Sequence, residues 1–149
     1  MEDLREGGFL MTKIRKLSER VFAKLLRDLK ITEISAAQGR VMFPLWQKDD
    51  ISFQELRKKT ALSKATLSNM LDNLENGGHI KRVRSEKDKR TISIKLTKKN
   101  KALQEKFIQV SIEMGDIFYL DFSEKEMDEF ESYLRRLLDN LTEFSEKNQ

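Results

Sequence analysis

The chain has 149 residues, with 29 lysines and arginines against 25 acids and a formal net charge of +4. It has no cysteine and a single histidine, His79, which excludes disulfides and cysteine nucleophiles and leaves most zinc sites short of ligands. The amino-terminal stretch MEDLREGG carries acids where a signal peptide carries bases, and no long apolar run follows it. We therefore expect one cytoplasmic domain with no metal, no cofactor and no membrane partner.

Positive charge is concentrated in one segment. Between Lys81 and Lys101, ten lysines and arginines stand against two acids, whereas from Ala102 onward twelve acids stand against five bases. A polyanion would be attracted to the first segment and repelled by the second.

The first half of the chain predicts helices. Apolar residues recur every three or four positions from Phe9 to Leu29, which predicts one amphipathic helix. Ser35 and Gln38 have the spacing of a capping box and should begin a second helix. Pro44 lies inside that second pattern and should bend or shorten the helix.

Two short helices follow, joined by a turn. Ser52 and Glu55 have the spacing of a capping box for a helix over Phe53 to Lys59, and Ser63 caps the next helix, which ends at a glycine pair beginning with Gly77. The apolar residues of the later helix form one narrow stripe: Leu67, Met70, Leu71 and Leu74. This arrangement predicts a helix-turn-helix.

The opposite side of that helix carries only small, amide or acidic side chains: Ala65, Ser68, Asn69, Asp72, Asn73 and Asn76. Such a helix can enter the DNA major groove, where asparagine can bond adenine in bidentate fashion. The acid, Asp72, should lie toward the end that leaves the DNA. The alternative is an ordinary solvated helix face.

A β-hairpin is predicted next, with strands over Ile80 to Arg84 and Thr91 to Leu96 and the charged tip SEKDKR between them. A hairpin directly after a helix-turn-helix is a wing, whose charges would reach phosphates or a minor groove. The alternative is a charged turn that protects an edge strand.

The carboxyl-terminal part predicts two more helices, one after Thr97 and one that begins at a capping box at Ser123. Together with the first helix they carry more apolar surface than a small winged domain can cover, so we expect a homodimer built from both chain ends. Packing of the three helices within one chain is the alternative.

Two single residues have more than one interpretation. His79 could act as a base, but its position between a glycine pair and a strand favours a residue at the root of the wing. Trp46 either lines an aromatic pocket or fills the core, and we favour the core.

The chain resembles the MarR (multiple antibiotic resistance regulator) family over nearly its whole length. The resemblance rests on LSKATLSNMLDNLENGGHIKRVRSEKDKRTISIKLTKKNK and, most specifically, on the Asp-x-Arg of the wing, Asp88 and Arg90. Ala61 and Asn100 stand where members often have glycine. The family's oxidant sensors use cysteine and its zinc sensors use several histidines and acids, so this chain resembles neither group.

The resemblance implies a mainly α (α+β) winged helix-turn-helix fold, with a DNA-binding lobe over about 35–100 and dimerisation helices over about 1–31 and 101–149. It implies a homodimer on double-stranded DNA, with Arg90 entering the minor groove and oriented by Asp88, and control by a small aromatic or phenolic effector. Not all of the basic residues can face DNA at once, because side chains alternate along a strand. The predicted DNA-binding residues are Ser63, Lys64, Ala65, Thr66, Ser68, Asn69, Arg82, Arg84, Lys87, Asp88, Lys89 and Arg90, with Lys81 and Lys95 as further candidates for phosphate contacts.

We expect a repressor of a palindromic operator. The rival hypothesis is a winged-helix module that binds an acidic protein, which would show aromatic or leucine anchors on the exposed helix face. An enzyme is disfavoured, because the sequence has no paired carboxylates, no nucleophile with a base and no phosphate-binding glycine loop.

Overall fold

A computed structural model describes residues 3–148, in which six α-helices and three short strands follow one another. The elements are α1 (Gly7–Asp28), α2 (Ala36–Gln47), β1 (Ile51–Ser52), α3 (Phe53–Thr60), α4 (Lys64–Asn76), β2 (Ile80–Arg84), β3 (Ile92–Leu96), α5 (Lys98–Phe118) and α6 (Glu124–Lys147). This is the predicted mainly α winged helix-turn-helix. The described chain forms two compact units, one up to Met114 and the other from Gly115.

The helix starts follow the predicted caps. Ser35 and Gln38 form both bonds of a capping box at α2, and Ser123 and Glu126 do the same at α6. At α3 the predicted capping box is only half formed: the Ser52 hydroxyl accepts from the Glu55 backbone N–H, but the Glu55 carboxylate accepts from Lys48 Nζ at 3.4 Å and does not bond back to Ser52.

Of the two predicted effects of Pro44, shortening of the helix is wrong, whereas bending stays a prediction. Helix α2 continues to Gln47, and the Lys48 N–H donates to the Pro44 carbonyl. Its neighbours Val41, Met42 and Leu45 are fully buried. Burying each of these side chains contributes about 1.5–3 kcal/mol, which together outweighs the roughly 3 kcal/mol that an interior proline costs.

The sheet has the order β1-β3-β2, with both pairings antiparallel. β2 and β3 form the predicted hairpin in the register Ile80 opposite Leu96 and Arg84 opposite Ile92. The two-residue strand β1 was not predicted from the sequence, and it pairs Ile51 with Ile94.

The core of the first unit lies between α2, α4, the sheet and the first turns of α5. The inward stripe of α4 is buried completely at Leu67, Leu71 and Leu74, while Met70 is half-buried. The opposite side of α4 is therefore left to solvent, and the hairpin follows directly from its carboxyl end.

Candidate nucleic-acid interface

Helix α4 is presented by a tight turn that begins at Ala61. Ala61 has φ 55° and ψ 22°, a left-handed conformation that closes α3 and redirects the chain. Ser63 then caps α4, since its hydroxyl accepts from the Thr66 N–H at 3.2 Å and donates to Thr66 Oγ1 at 2.9 Å. The hydroxyl of Ser63 is thus committed to starting the helix.

The outer face of α4 is polar and accessible, as predicted. Lys64, Ala65, Asn69, Asn73 and Asn76 are exposed, and Ser68 is half-buried. No aromatic or leucine side chain is exposed between Lys64 and Asn76. This composition suits close approach to base edges and lacks the apolar anchors of a protein-binding helix.

Asp88 organises the tip of the wing. Its Oδ1 accepts from the Arg90 backbone N–H at 3.0 Å, its Oδ2 accepts from Thr91 Oγ1 at 3.4 Å, and its carbonyl accepts from the Thr91 N–H. Ser85 closes the turn, because its N–H donates to the Thr91 carbonyl and its hydroxyl accepts from the Asp88 N–H. Asp88 therefore positions Arg90 through the backbone rather than through its guanidinium.

The cations of the wing differ in their partners. Arg84 donates to the Lys89 carbonyl at 2.7 Å and so braces the tip from the strand. Lys87, Lys89 and Arg90 are exposed, and within residues 3–148 the structure gives their side chains no ion pair or hydrogen bond. These three charges are the ones most available to a polyanion.

Arg82 and Lys95 have partners inside the protein. The Arg82 guanidinium lies 2.6 Å from Asp72 Oδ1 and 2.9 Å from Glu75 Oε1. Its backbone N–H, and then its guanidinium, lower the pKa of Glu75, and the same contact with Glu75 raises the pKa of Arg82. Lys95 lies 3.9 Å from Asp50.

Helix α3 adds cations that the sequence analysis missed. Arg57, Lys58 and Lys59 occupy its last turn and are exposed. Arg57 Nε donates to the Leu62 carbonyl at 3.3 Å and so holds the turn before α4. The run RKK beside the helix-turn-helix was the signal that could have identified them.

A cavity of about 340 Å³ lies between α1, α2 and the middle of α5. Four aromatic side chains line it, and the rings of Trp46 and Phe107 pack in a tilted arrangement with their centroids 4.7 Å apart. At its edge Arg40 and Arg15 both bond Glu19, at 2.5 and 3.3 Å, and the Arg40 bond is the main reason that the pKa of Glu19 is lowered. The lining residues are Arg15, Ser18, Glu19, Phe22, Ala36, Gly39, Arg40, Phe43, Trp46, Phe107, Ser111 and Met114.

A buried polar chain runs from this cavity to the root of the wing. Trp46 Nε1 donates to Asn100 Oδ1 at 2.6 Å, and Asn100 Nδ2 lies 3.2 Å from His79 Nδ1. Trp46 thus both lines the cavity and packs on the core. His79 is 4% exposed, and its burial, followed by the nearby Lys99 charge, lowers its pKa. His79 is thus a buried residue directly before β2, which matches the predicted wing-root position.

Among residues 3–148 no helix is long and apolar enough to cross a membrane. No group of three or more His, Cys, Asp or Glu side chains in that range could hold a metal ion.

Known proteins resemble this chain in sequence and structure. The MarR family model matches residues 34–92. The HTH-type transcriptional repressor YetL of Bacillus subtilis is 30% identical over 115 residues, which are 76% of this chain and 69% of YetL. The HTH-type transcriptional regulator TtmR of Methylorubrum extorquens is 31% identical over 109 residues. The match covers 73% of this chain, but this chain spans only 51% of the length of TtmR.

Among solved structures, a mutant MarR from E. coli complexed with operator DNA superimposes with a TM-score of 0.78 and 26% identity. The match covers 92% of this chain and 99% of that one. Members of this family are transcriptional regulators, not enzymes. The described fold, the family match and the relatedness to YetL together show that the chain belongs to the MarR family of transcriptional regulators.

Proposed function

We propose that the protein is a homodimeric, sequence-specific repressor that binds double-stranded DNA through α4 and the wing. The observation that carries the proposal is the pairing of an exposed, amide-rich helix face with a hairpin whose tip is fixed by Asp88 and presents Lys87, Lys89 and Arg90 to solvent. Similarity to an E. coli MarR complexed with operator DNA supports it.

Residues of α4 and of the wing would have separate tasks. Asn69 and its exposed neighbours Lys64 and Ala65 would approach base edges in the major groove, and half-buried Ser68 would follow at the rim. Arg90 would enter the minor groove, and Lys87 and Lys89 would contact phosphates. Ser63 would offer its backbone N–H at the helix start, since its hydroxyl is used by the cap. Thr66 would offer its hydroxyl, which accepts from Ser63 and keeps its own proton for a phosphate.

A second copy of the chain is the proposed partner of the terminal helices. In α1, Phe9, Leu10, Ile14 and Leu17 are between 44 and 69% exposed. In α6, no residue is buried although Leu137, Leu138, Leu141 and Phe144 line one side of the helix. Apolar faces of this extent on two helices suit an isologous interface.

This arrangement assigns 1–31 and 101–149 to dimerisation and 35–100 to DNA within one cytoplasmic domain. A twofold dimer would place two α4 helices in successive major grooves about 34 Å apart, so the operator would be roughly palindromic. Repression is supported by similarity to the transcriptional repressor YetL.

A small aromatic acid is the proposed effector. The cavity beside Trp46 has aromatic walls for a ring, and Arg40 and Arg15 at its edge could exchange Glu19 for an anionic ligand. The polar chain through Asn100 and His79 gives a physical link from the cavity to the wing.

The test is selection of bound duplexes from a random pool, followed by titration of the recovered duplex with the purified protein. We expect a palindromic site bound by a dimer, with Arg90→Ala weakening binding to every sequence. If the dimer binds no duplex but captures acidic proteins, the interaction-module hypothesis replaces this one.

The effector is tested by fluorescence, because Trp46 is the only tryptophan in the chain. Benzoate should change the Trp46 emission in a saturable way and should release the selected duplex from the protein. Acetate, which has the same charge and no ring, should do neither. Equal effects of the two anions would show that only ionic strength is being measured.

A further inference from the structure

Arg82 joins the wing to the DNA-facing helix. It lies on β2 with its side chain 27% exposed, and its guanidinium contacts two carboxylates one helical turn apart on α4, Asp72 and Glu75. The attachment is doubled on Glu75, which accepts from the Arg82 backbone N–H at 2.8 Å as well as from the guanidinium. One side chain therefore fixes two turns of α4 against the first strand of the wing.

The contact also changes the charge of the α4 surface. Asp72 is exposed and lies three residues after Asn69, so the two share one side of the helix. An uncompensated carboxylate at that place would repel the phosphates of any groove into which α4 inserts. Arg82 lies against Asp72 and offsets that charge.

Because its guanidinium already bonds two carboxylates, Arg82 is poorly placed to contact a DNA phosphate. To reach a phosphate it would have to abandon charge-assisted bonds to Asp72 and Glu75 that are partly shielded from water. The exposed Lys81 next to it on β2 has no such partner within the described residues and can move toward DNA without loss.

We propose that Arg82 is a positioning residue for DNA recognition, which holds α4 in register with the wing and offsets Asp72, and that it makes no phosphate contact itself. The proposal rests on the proposed function of α4 and the wing. A phosphate contact contributes to binding of any duplex, whereas a residue that aligns α4 contributes where side chains must meet base edges.

The experiment compares four proteins, wild type, Arg82→Gln, Asp72→Asn and the double variant, on two duplexes. One duplex is recovered by selection from a random pool with the wild-type protein, and the other is a scrambled sequence of the same length and composition. Arg82→Gln should weaken binding to the selected duplex about tenfold or more but to the scrambled duplex by no more than about threefold. In the Asp72→Asn background the same change should cost at least threefold less.

Lys81→Gln is the matched control, because it removes one positive charge from the neighbouring position of the same strand. It should weaken binding to both duplexes by similar factors, as expected for loss of a phosphate contact. If Arg82→Gln behaves like Lys81→Gln, with equal losses on both duplexes and in both Asp72 backgrounds, Arg82 is a phosphate contact and the proposal is wrong.

Thermal melting of each variant separates misfolding from misalignment. If Arg82→Gln is unfolded at the assay temperature, Arg82→Lys takes its place, since it keeps the charge but loses the two-carboxylate bridge, and it should show the same selective loss. If wild type itself does not distinguish the duplexes, the proposed function fails. If wild type distinguishes them and the Arg82 variants do so equally well, this inference alone fails.

Discussion

Replacing Asn100 with alanine should destabilise the protein, because two buried polar groups, on Trp46 and His79, would lose their hydrogen-bond partner. Asn100 is fully buried, accepts from the Trp46 indole N–H at 2.6 Å and lies 3.2 Å from His79 Nδ1. Leaving a buried polar group without a partner costs about 1–3 kcal/mol, so orphaning both the Trp46 indole N–H and His79 Nδ1 should lower the free energy of unfolding by about 2–6 kcal/mol. Alanine keeps the helix start intact, because the backbone N–H of residue 100 still faces the Thr97 hydroxyl.

The control is the same substitution in a Trp46→Phe background. Phenylalanine has no N–H to orphan, so Asn100→Ala should cost about 1–3 kcal/mol less there than in wild type. Urea denaturation followed by far-ultraviolet circular dichroism at neutral pH measures all four proteins at one fixed protein concentration. Equal costs in the two backgrounds, or a cost below about 0.5 kcal/mol in wild type, would refute the assignment of this polar chain as a coupled buried network.

Three further predictions concern stability. Ala61→Gly should raise the free energy of unfolding by about 0.5–1 kcal/mol, because Ala61 has φ 55° and glycine adopts that conformation without steric cost. An unchanged or lower melting temperature of the variant would contradict this prediction. Gly39→Ala should lower the melting temperature despite the better helix propensity of alanine. A Cβ at Gly39 would lie 2.6 Å from two atoms of the Phe107 ring, so the ring would have to shift. A stabilised variant would show that the ring moves freely. Stability should fall as pH drops below 6.5, because the pKa of buried His79 is lowered from that value and the unfolded chain takes up a proton that the folded chain excludes. Urea titrations at a series of pH values above the range in which carboxylates titrate should show this slope in wild type, and His79→Gln should remove it there. The lowered pKa values of Glu19 and Glu75 give a separate fall at lower pH that His79→Gln leaves in place.

Local signals in the sequence predicted most of the fold. Capping boxes at Ser35 and Ser123, the cap at Ser63 and the apolar stripe of α4 depend on residues within one or two turns, and each is found where its pattern indicates. Strand β1 could not be found in this way, because two residues give no periodicity and Ile51 is held in the sheet by pairing with distant Ile94. The continuation of α2 through Pro44 likewise depends on burial against other elements.

The candidate site was predicted less completely than the fold, because its partners are distant in sequence. The sequence indicated which residues carry charge but not that Arg82 would bond Asp72 and Glu75 across the helix-to-strand turn. The link from Trp46 to Asn100 spans 54 positions and has no local signal. Asn100, noted only as a departure from the usual glycine, is the centre of the buried polar chain.

The central claim, that α4 and a cationic wing bind duplex DNA, is tested most directly by the salt dependence of binding to the selected duplex. For wild type the logarithm of affinity should fall steeply and linearly with the logarithm of salt concentration, because bound lysines and arginines release counterions from phosphates. Arg90→Ala should weaken binding and reduce the slope by about 1. A wild-type protein that binds no duplex in dilute buffer, or an Arg90→Ala variant with the wild-type affinity and slope, would contradict the account.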